Sequence, residues 1–278
     1  MKRISFNISS RIIILTLIIL LNRCVQNEND TGRTPSPEPV PETVVDTLPA
    51  NPGLPTVPEG DTIIHHTYYT LSYNERYEQP DWVMYKLVKD SLLLPKNPRK
   101  NHFRSDPEVH SGSASPADYK KSGYDRGHLL PAAAMSWSKS ALSETFFMSN
   151  MSPQAPQFNR GIWKQLESKV RDWAIEDGEL YVITGPVLKG DLPTIGANEV
   201  AVPQYYYKVI LDYREPEVKA IAFVLSNKKH TEPLQTFAVP IDSVEHLTGI
   251  DFFAPLPDTW EDSLETQVDI SAWFEPLP

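Results

Sequence analysis

Residues 124–167 read YDRGHLLPAAAMSWSKSALSETFFMSNMSPQAPQFNRGIWKQLE. The stretch opens with a fixed cation and an imidazole, Arg126 and His128, separated by one glycine. It ends with a carboxamide and a carboxylate, Asn159 and Glu167, eight residues apart. Fixed cations, an imidazole and oxygen donors for a metal are the groups that chemistry at a phosphate ester requires. The stretch is therefore the candidate site around which the fold is expected to be built.

The second half of the stretch has the pattern of a helix. Proline is absent from Gln157 to Glu176, and apolar residues recur at helical spacing. These residues are Ile162, Trp163, Leu166, Val170, Trp173 and Ala174. On such a helix Asn159 falls in the first turn. Glu167 follows about 12 Å along the axis, with a side chain that leans back toward the helix start. Both side chains can then serve one site.

The segment before this helix is predicted to be extended. The motif Asp125-Arg126-Gly127-His128 does not fit a helical pattern, so His128 is expected on a strand. A second, short strand is predicted at Phe146–Met148. The predicted unit is strand, loop, short strand and helix, and it should bring His128 and Asn159 together.

Alternating apolar and polar residues predict further strands in the rest of the chain. These are Thr67–Leu71, Trp82–Val88, Leu180–Thr184, Tyr205–Asp212 and Lys219–Leu225, the last two forming a hairpin. A short helix is predicted at Asp242–Leu247, with Asp242 as its cap. The proline- and acid-rich tail from Ala254 is expected to pack loosely.

The motifs DRGH, SNMSPQ and FNRGIWKQLE together resemble the DNA/RNA non-specific endonucleases, an endonuclease G-like ββα-metal group. The similarity covers residues 62–255, from near LSYNERYEQPDWVMYKL to VPIDSVEHLTGIDFF. A lone DRGH recurs by chance, whereas the three motifs in this order and spacing are specific. The resemblance implies an α+β fold with a mixed, largely antiparallel central sheet and an embedded ββα-metal finger, the His-Me nuclease fold.

The resemblance implies a sugar-non-specific endonuclease that hydrolyses the phosphodiester bonds of DNA and RNA. His128 suits the role of general base, because a neutral imidazole takes a proton from water near neutral pH. The expected cofactor is Mg²⁺, with Mn²⁺ as a substitute, since the available ligands are amide and carboxylate oxygens. Asn159 would be the direct ligand, and Glu167 would orient the metal's waters. The resemblance implies the same three roles.

Three more residues of the motifs and one upstream arginine are candidates for the site. Arg126 is expected to contact the phosphate bidentately, or else to pair with Asp125. Asn150 is expected to position the metal loop by hydrogen bonds. Members of the family carry an arginine near Arg76 that stabilises the pentavalent phosphate. Arg76 is therefore a catalytic candidate, and the alternative is a solvated loop charge.

The segment RKNHFR is the most basic cluster in the chain. Its cations Arg99, Lys100 and Arg104 are predicted to bind the phosphates that flank the scissile bond. The alternative is that they only keep a proline-rich loop solvated.

The overall charge is acidic, which argues against a tight nucleic-acid binder. The chain of 278 residues has 26 basic and 36 acidic residues and a formal net charge of −10. Residues 62–278 hold 21 of the basic and 29 of the acidic residues. A nucleic-acid site must then be a local basic patch on an acidic body. The single cysteine, Cys24, excludes an intrachain disulfide framework and a cysteine zinc cluster.

The N-terminus has the pattern of an export signal at residues 1–24. Three cations precede an uncharged run at Ile12–Leu21, which is too short to span a bilayer comfortably. The run ends at LNRC, which resembles the lipobox of bacterial lipoproteins, although Arg23 stands where a small residue is usual. A lipid on Cys24 would attach an exported protein to a membrane. The protein would then be a periplasmic or cell-envelope lipoprotein, at the outer membrane or the cell surface. The alternatives are an ordinary signal peptide and an uncleaved anchor.

Residues 25–61 are predicted to be a disordered tether, because they contain eight prolines and few large apolar residues. The nuclease domain is expected at 62–278. Two other functions stay open at this point. One is a non-catalytic envelope module that binds nucleic acid, which the acidic charge favours. The other is a metallophosphodiesterase acting on a smaller substrate.

Overall fold

An antiparallel sheet of seven strands lies at the centre of the fold, in a computed structural model that describes residues 48–275. The strands of the described residues are β1 (Thr62–His65), β2 (Tyr69–Asn74), β3 (Gln79–Val88), β4 (Asp125–His128), β5 (Met151–Gln154), β6 (Glu179–Pro186), β7 (Thr194–Ile195), β8 (Val200–Ala201), β9 (Tyr205–Asp212), β10 (Lys219–Ser226) and β11 (Ala238–Val239). The helices are α1 (Lys89–Leu92), α2 (Lys139–Glu144), α3 (Pro156–Phe158), α4 (Lys164–Asp177), α5 (Ile241–Thr248) and α6 (Asp258–Glu265). A π-helical segment, Asn159–Trp163, joins α3 to α4, and 3₁₀ turns span Met148–Asn150 and Leu234–Phe237.

The strand order of the sheet is β1-β2-β3-β6-β9-β10-β11, and each neighbouring pair is antiparallel. Two small ribbons, β4-β5 and β7-β8, lie outside it. The α+β class with a largely antiparallel sheet, predicted above, is confirmed.

Strand β3 shows how the sheet separates two apolar cores. Its residues alternate, so that Val83 and Tyr85 lie in one core while Trp82 and Met84 lie in the other. Both sets are buried, as expected for a central strand whose side chains point alternately to either face.

Different helices cover the two faces of the sheet. The first core contains Leu166, Val170 and Trp173 of α4, so the predicted helical stripe is the buried face of that helix. The second core contains Val244 of α5 and Leu264 of α6. The helix that carries Glu167 and the two C-terminal helices therefore pack on opposite faces of the sheet.

The predicted strands are found at their expected places, with one exception. The short strand expected at Phe146–Met148 is wrong, because the partner of β4 is β5, at Met151–Gln154. Phe146 and Met148 are buried as in a strand, but the backbone turns through a 3₁₀ helix from residue 148 to 150. The apolar residues Phe146 and Met148 are buried on an irregular loop, and their spacing in the sequence is the same as on a strand.

The C-terminal part of the chain departs from two other predictions. Helix α5 begins after Pro240, and Asp242 lies in its first turn instead of capping it. The tail after Ala254 is well packed, since Leu256, Leu264 and Trp273 are all buried. These few apolar residues, widely spaced among acids and prolines, were enough to fasten the tail to both cores.

The described end of the predicted tether is attached to the body. Thr56 donates its amide to Asp251 O at 2.8 Å, and its own carbonyl accepts from Trp82 Nε1 at 3.1 Å. The proline content of the tether suggested an extended chain. The structure shows that part of this chain, before residue 62, is hydrogen-bonded to the domain. The predicted export signal, Cys24 and the tether up to residue 47 lie outside the described residues.

Among residues 48–275, the structure contains no helix with the length and apolar character needed to cross a membrane.

Candidate active site

The strand of the site is shaped by the glycine of the DRGH motif. Strands β4 and β5 pair with Gly127 opposite Ser152 and His128 opposite Met151. A Cβ at position 127 would overlap the side chain of Gln154. The glycine therefore allows the Gln154 side chain to lie directly on β4.

The loop after β4 is held by Asn150. Its Oδ1 accepts from Leu130 N at 2.8 Å, and its Nδ2 donates to Leu130 O and Thr145 O at 3.0 and 2.9 Å. The side chain is fully buried, so these three bonds satisfy its amide where water does not reach. Asn150 thus fixes the backbone next to His128 and is not itself at the cavity.

The helix of the site starts irregularly. Gly161 has φ −102° and ψ −114°, outside the helical region, and the turn from Asn159 to Trp163 is a π-helix. Such wide turns are uncommon and occur often at functional sites. Here the turn presents Asn159 beside β4, while the regular helix α4 that follows carries Glu167.

These elements surround a cavity of about 410 Å³. The lining residues that carry polar or charged groups are Arg99, Arg126, His128, Asn159, Arg160, Lys164, Glu167 and Arg171. The predicted convergence of His128 and Asn159 is therefore observed. The lining has five cations and one carboxylate, so the cavity is the local basic patch expected on an acidic body.

His128 is buried at the inner end of the cavity, with 8% of its surface exposed. Its ring packs edge-on against Phe146 at 5.1 Å between centroids and near Phe103 at 5.7 Å. Burial, and then the cations Arg99 and Arg126, lower the pKa of His128 to about 3. The imidazole of the free protein is consequently neutral at neutral pH.

The orientation of the His128 ring comes from packing. Within the part of the chain that the structure describes, neither ring nitrogen has a hydrogen-bond partner. Nε2 is buried. A buried, neutral ring nitrogen without a partner is available to a molecule that enters the cavity.

Asp125 connects Asn159 to the strand. Asn159 Nδ2 donates to Asp125 Oδ2 at 2.9 Å, and Arg160 donates to both oxygens of the same carboxylate at 2.8 and 2.5 Å. The contact fixes the carboxamide and leaves Asn159 Oδ1 as a hard oxygen donor. Asp125 therefore pairs with Arg160, and the guanidinium of Arg126 lies instead over the ring of Phe103, at 4.2 Å.

Two opposing effects act on the pKa of Glu167, burial and the charge of nearby cations. Burial raises the pKa of Glu167, while Lys208, Arg171 and Arg99, in that order, oppose the shift. Lys208 is fully buried on β9, and its Nζ lies over the ring of Trp163 at 4.7 Å. Among the described residues, Nζ has no hydrogen-bond partner. Lys208 thus supplies positive charge behind Glu167 from inside the core.

Four cations of the site were missed in the sequence: Arg160 and Lys164 of the lining, and Arg171 and Lys208 near Glu167. Arg171 lies four residues after Glu167 on the same helix, a spacing that places both on one face and would have identified it. Lys208 interrupts the apolar run YYYKVIL, and a lysine in a central strand was the available signal.

Three predicted cations lie away from the cavity. Arg76 is at the β2–β3 turn, where its exposed side chain pairs with Asp191 at 3.3 Å. Arg104 lies over the ring of Phe147 at 4.0 Å and donates to Ser143 O at 2.9 Å. Lys100 lines a neighbouring cavity instead. From the basic segment, Arg99 alone lines the His128 cavity, because consecutive side chains of an extended loop point in different directions.

Comparisons with known proteins show what the chain is similar to. A family model described as DNA/RNA non-specific endonuclease matches residues 51–259. Mitochondrial endonuclease G of Homo sapiens is 36% identical over 201 residues, which cover 66% of this chain and 67% of the relative. Nuclease C1 of Cunninghamella echinulata var. echinulata is 37% identical over 207 residues, 68% of this chain and 81% of the relative.

A third relative and a solved structure extend the comparison. The mitochondrial nuclease EXOG of Danio rerio is 35% identical over 207 residues, 69% of this chain but 60% of the relative's length. A crystal structure of an EndoG/EndoGI complex contains a chain that superposes with a TM-score of 0.69 and 34% identity. The match covers 74% of this chain and 90% of that one.

The contact between β4 and Gln154 generates a test of stability. Replacing Gly127 with alanine should destabilise the fold by about 1–3 kcal/mol, because the added methyl group overpacks the Gln154 side chain. Urea unfolding of Gly127→Ala measures the loss. Gln154→Ala is the matched control, and the double variant should recover part of the loss. A Gly127→Ala protein as stable as the parent would contradict the close contact.

Proposed function

Because the chain belongs to the DNA/RNA non-specific endonuclease family and is a hydrolytic nuclease, we propose that it cuts DNA and RNA with His128 as general base and a divalent metal on Asn159. The observation that carries this mechanism is the single cavity that holds His128, Asn159 and Glu167 together with Arg99, Arg126 and other cations. His128 lies on β4 and Asn159 in the π-helical segment 31 residues later, so only the folded chain brings them together.

The proposed base is neutral before substrate binds. Its lowered pKa means that His128 keeps its lone pair well below pH 6.5 in the free enzyme. The two arginines that lower this pKa are also those that face an incoming phosphate. A bound phosphodiester therefore offsets their charge and raises the pKa of His128, which makes it a stronger base when water is to be deprotonated.

The cations of the cavity bind the scissile phosphate and its developing charge. Arg99 and Arg126 approach from the side of His128, and Lys164 and Arg171 project from α4. Fixed cations in a half-buried cavity stabilise a pentavalent phosphate more than they would in water. They also give an acidic protein a local affinity for nucleic acid without strong binding over its whole surface.

The residues of the cavity fit a hard divalent metal. Asn159 Oδ1 and the carboxylate of Glu167 are oxygen donors, and none of the described residues that line the cavity is a cysteine. We propose Mg²⁺, with Mn²⁺ as a substitute. When bound, the ion would neutralise phosphate charge and assist the departing oxygen. Asn159 would hold it directly, with Asp125 orienting the carboxamide, and Glu167 would accept hydrogen bonds from nearby water.

Replacing His128 with alanine should lower the cleavage rate by about 10²–10⁴-fold, because the water loses its base. Nicking of plasmid DNA and hydrolysis of single-stranded RNA measure the loss, and circular dichroism shows whether the fold is kept. EDTA should abolish both activities, and Mg²⁺ or Mn²⁺ should restore them. An unchanged rate in a folded His128→Ala protein would remove the proposed base. A dinucleotide cleaved as fast as plasmid would favour a small-substrate phosphodiesterase.

Substitutions of Arg99 and Arg76 test which arginine acts on the phosphate. The structure places Arg99 at the cavity, whereas the sequence suggested Arg76. Arg99→Ala should lower the rate by about 10²–10³-fold, because a cation facing the phosphate is lost. Arg76→Ala, which removes a solvated charge paired with Asp191, should change the rate by less than about twofold. The same plasmid assay compares them. The opposite ranking would place the catalytic arginine at the β2–β3 turn.

We also propose that the enzyme is exported and held at a membrane by a lipid on Cys24. The support is the cationic start, the apolar run at Ile12–Leu21 and the single cysteine directly after it. Residues 25–47 would then separate the anchor from the nuclease domain. Such an enzyme would act at the cell envelope, on nucleic acid that reaches the periplasm or the cell surface.

Detergent partition of the full chain tests this location. In a bacterial expression host, the parent protein should enter the detergent phase of Triton X-114. Cys24→Ser should move to the aqueous phase, because an acyl chain supplies most of the membrane affinity. Retention of Cys24→Ser in the detergent phase, together with an intact mass of the parent that carries no acyl groups, would contradict lipidation and indicate an uncleaved apolar anchor.

A further inference from the structure

Five carboxylates converge between the two C-terminal helices. Asp242 and Glu245 come from α5, Asp251 from the connecting loop, and Glu261 and Glu265 from α6. They form two groups of three that share Glu265. Within each group, one carboxylate oxygen per residue lies within 4.8 Å of the others.

No basic side chain of the described residues forms an ion pair with this acidic cluster. Among residues 48–275, none of the ion pairs within 4.0 Å involves any of its five members. Carboxylates at such separations repel each other, and the repulsion is strongest where water is excluded. The cluster therefore requires positive charge or protons beyond what residues 48–275 supply.

The burial of Glu265 is a second, independent indication that the cluster binds a cation. Its side chain belongs to a residue that is 5% exposed, and it is aimed into both groups. Oε1 is buried and accepts no hydrogen bond from the described residues, so the contact of Glu265 with the Glu245 side chain needs a proton or a cation between the two carboxylates. A buried carboxylate oxygen without a donor is costly and rare in folded proteins. Its position fits an oxygen that ligates a cation.

Backbone amides hold two of the other carboxylates in place. Phe252 N donates to Glu245 Oε1 at 2.8 Å, and Phe253 N donates to Asp251 Oδ1 at 3.2 Å. Each of these carboxylates has a second oxygen that can ligate a cation. The loop between α5 and α6 thus arranges oxygen ligands before any ion binds.

We propose that the acidic cluster is a calcium-binding site that fastens α5 and α6 to each other. Ca²⁺ takes six to eight oxygen ligands in flexible geometry, and carboxylates from three segments match this preference. Mg²⁺ demands a tighter octahedron and keeps most of its waters, so it fits less well. The site would be structural, with no part in the cleavage reaction.

The position of the cluster separates it from the nuclease cavity. Helices α5 and α6 pack in the core on the opposite face of the sheet from α4. Glu261 and Glu265 also lie beyond residue 259, where the family match ends. The Asp251 carbonyl accepts from Thr56 N, so an ion here would also stabilise the attachment of the N-terminal segment.

A proton is the competing occupant. Burial and the neighbouring Glu245 and Glu261 raise the pKa of Glu265 to about 9, so without a cation this carboxyl is protonated at neutral pH. The two explanations predict different responses to calcium. A proton alone leaves stability independent of Ca²⁺ at neutral pH, whereas a calcium site makes it depend on Ca²⁺ concentration.

Thermal unfolding of the full chain tests the proposal. Asn159→Ala serves as the parent, so that the proposed catalytic metal ligand is absent, and bound metal is removed with EDTA and dialysis. Adding CaCl₂ should raise Tm in a saturable way, by about 5–10 °C at concentrations 100-fold above Kd. Calorimetric titration with Ca²⁺ gives the affinity directly.

Two substitutions on α6 provide the comparison. Glu265→Gln in the parent should abolish the calcium-dependent rise, because the shared ligand is lost. Asp262→Asn, which removes an exposed charge from the same helix but from neither group, should keep it.

Any of three results would overturn the site: no effect of Ca²⁺ on the parent, an equal loss in both variants, or an unchanged rise in Glu265→Gln. If Glu265→Gln does not fold, Glu261→Gln replaces it, and the calorimetric titration of the parent decides.

Discussion

The carboxylate of Asp125 is the interaction on which the site depends. It lies on β4, three residues before His128, and it accepts hydrogen bonds from both Asn159 and Arg160 at the start of the helical segment. A strand and a helical segment distant in sequence are thereby joined at the point where the proposed base and the proposed metal ligand line one cavity. Charge-assisted bonds of this kind are among the stronger polar contacts in proteins. They also leave Arg126, the neighbour of Asp125, free to face the cavity.

Residues outside the cavity lining hold the remaining parts of the site in position. Asn150 fixes the loop after β4, aromatic rings hold His128, and the π-helical turn sets the start of α4. Lys208 places charge in the core beneath Glu167. The supporting side chains Asn150, Phe146 and Lys208 are all buried, so the side chains of the cavity are positioned by groups packed in the interior.

Much of this arrangement could be predicted from the sequence, because it follows from local patterns. The helical stripe, strand β9 and the convergence of His128 with Asn159 come from periodicity and from three ordered motifs. The positions of the cations were harder to predict, because a charge pattern shows neither where a loop side chain points nor which cations pair with acids. Arg76 and Arg99 look alike in sequence, yet one faces solvent and the other the cavity.

Strand β3 has a consequence for how this fold can vary. It runs through the middle of the sheet and sends alternate side chains into two separate cores. Inserting or deleting a single residue there would exchange the two sets and disrupt both cores at once, since side chains on a strand alternate with a period of two. Changes of length among natural variants should therefore concentrate in surface loops such as that around Gly190, where a Cβ would meet open space. The central strand should keep its length even where its residues change.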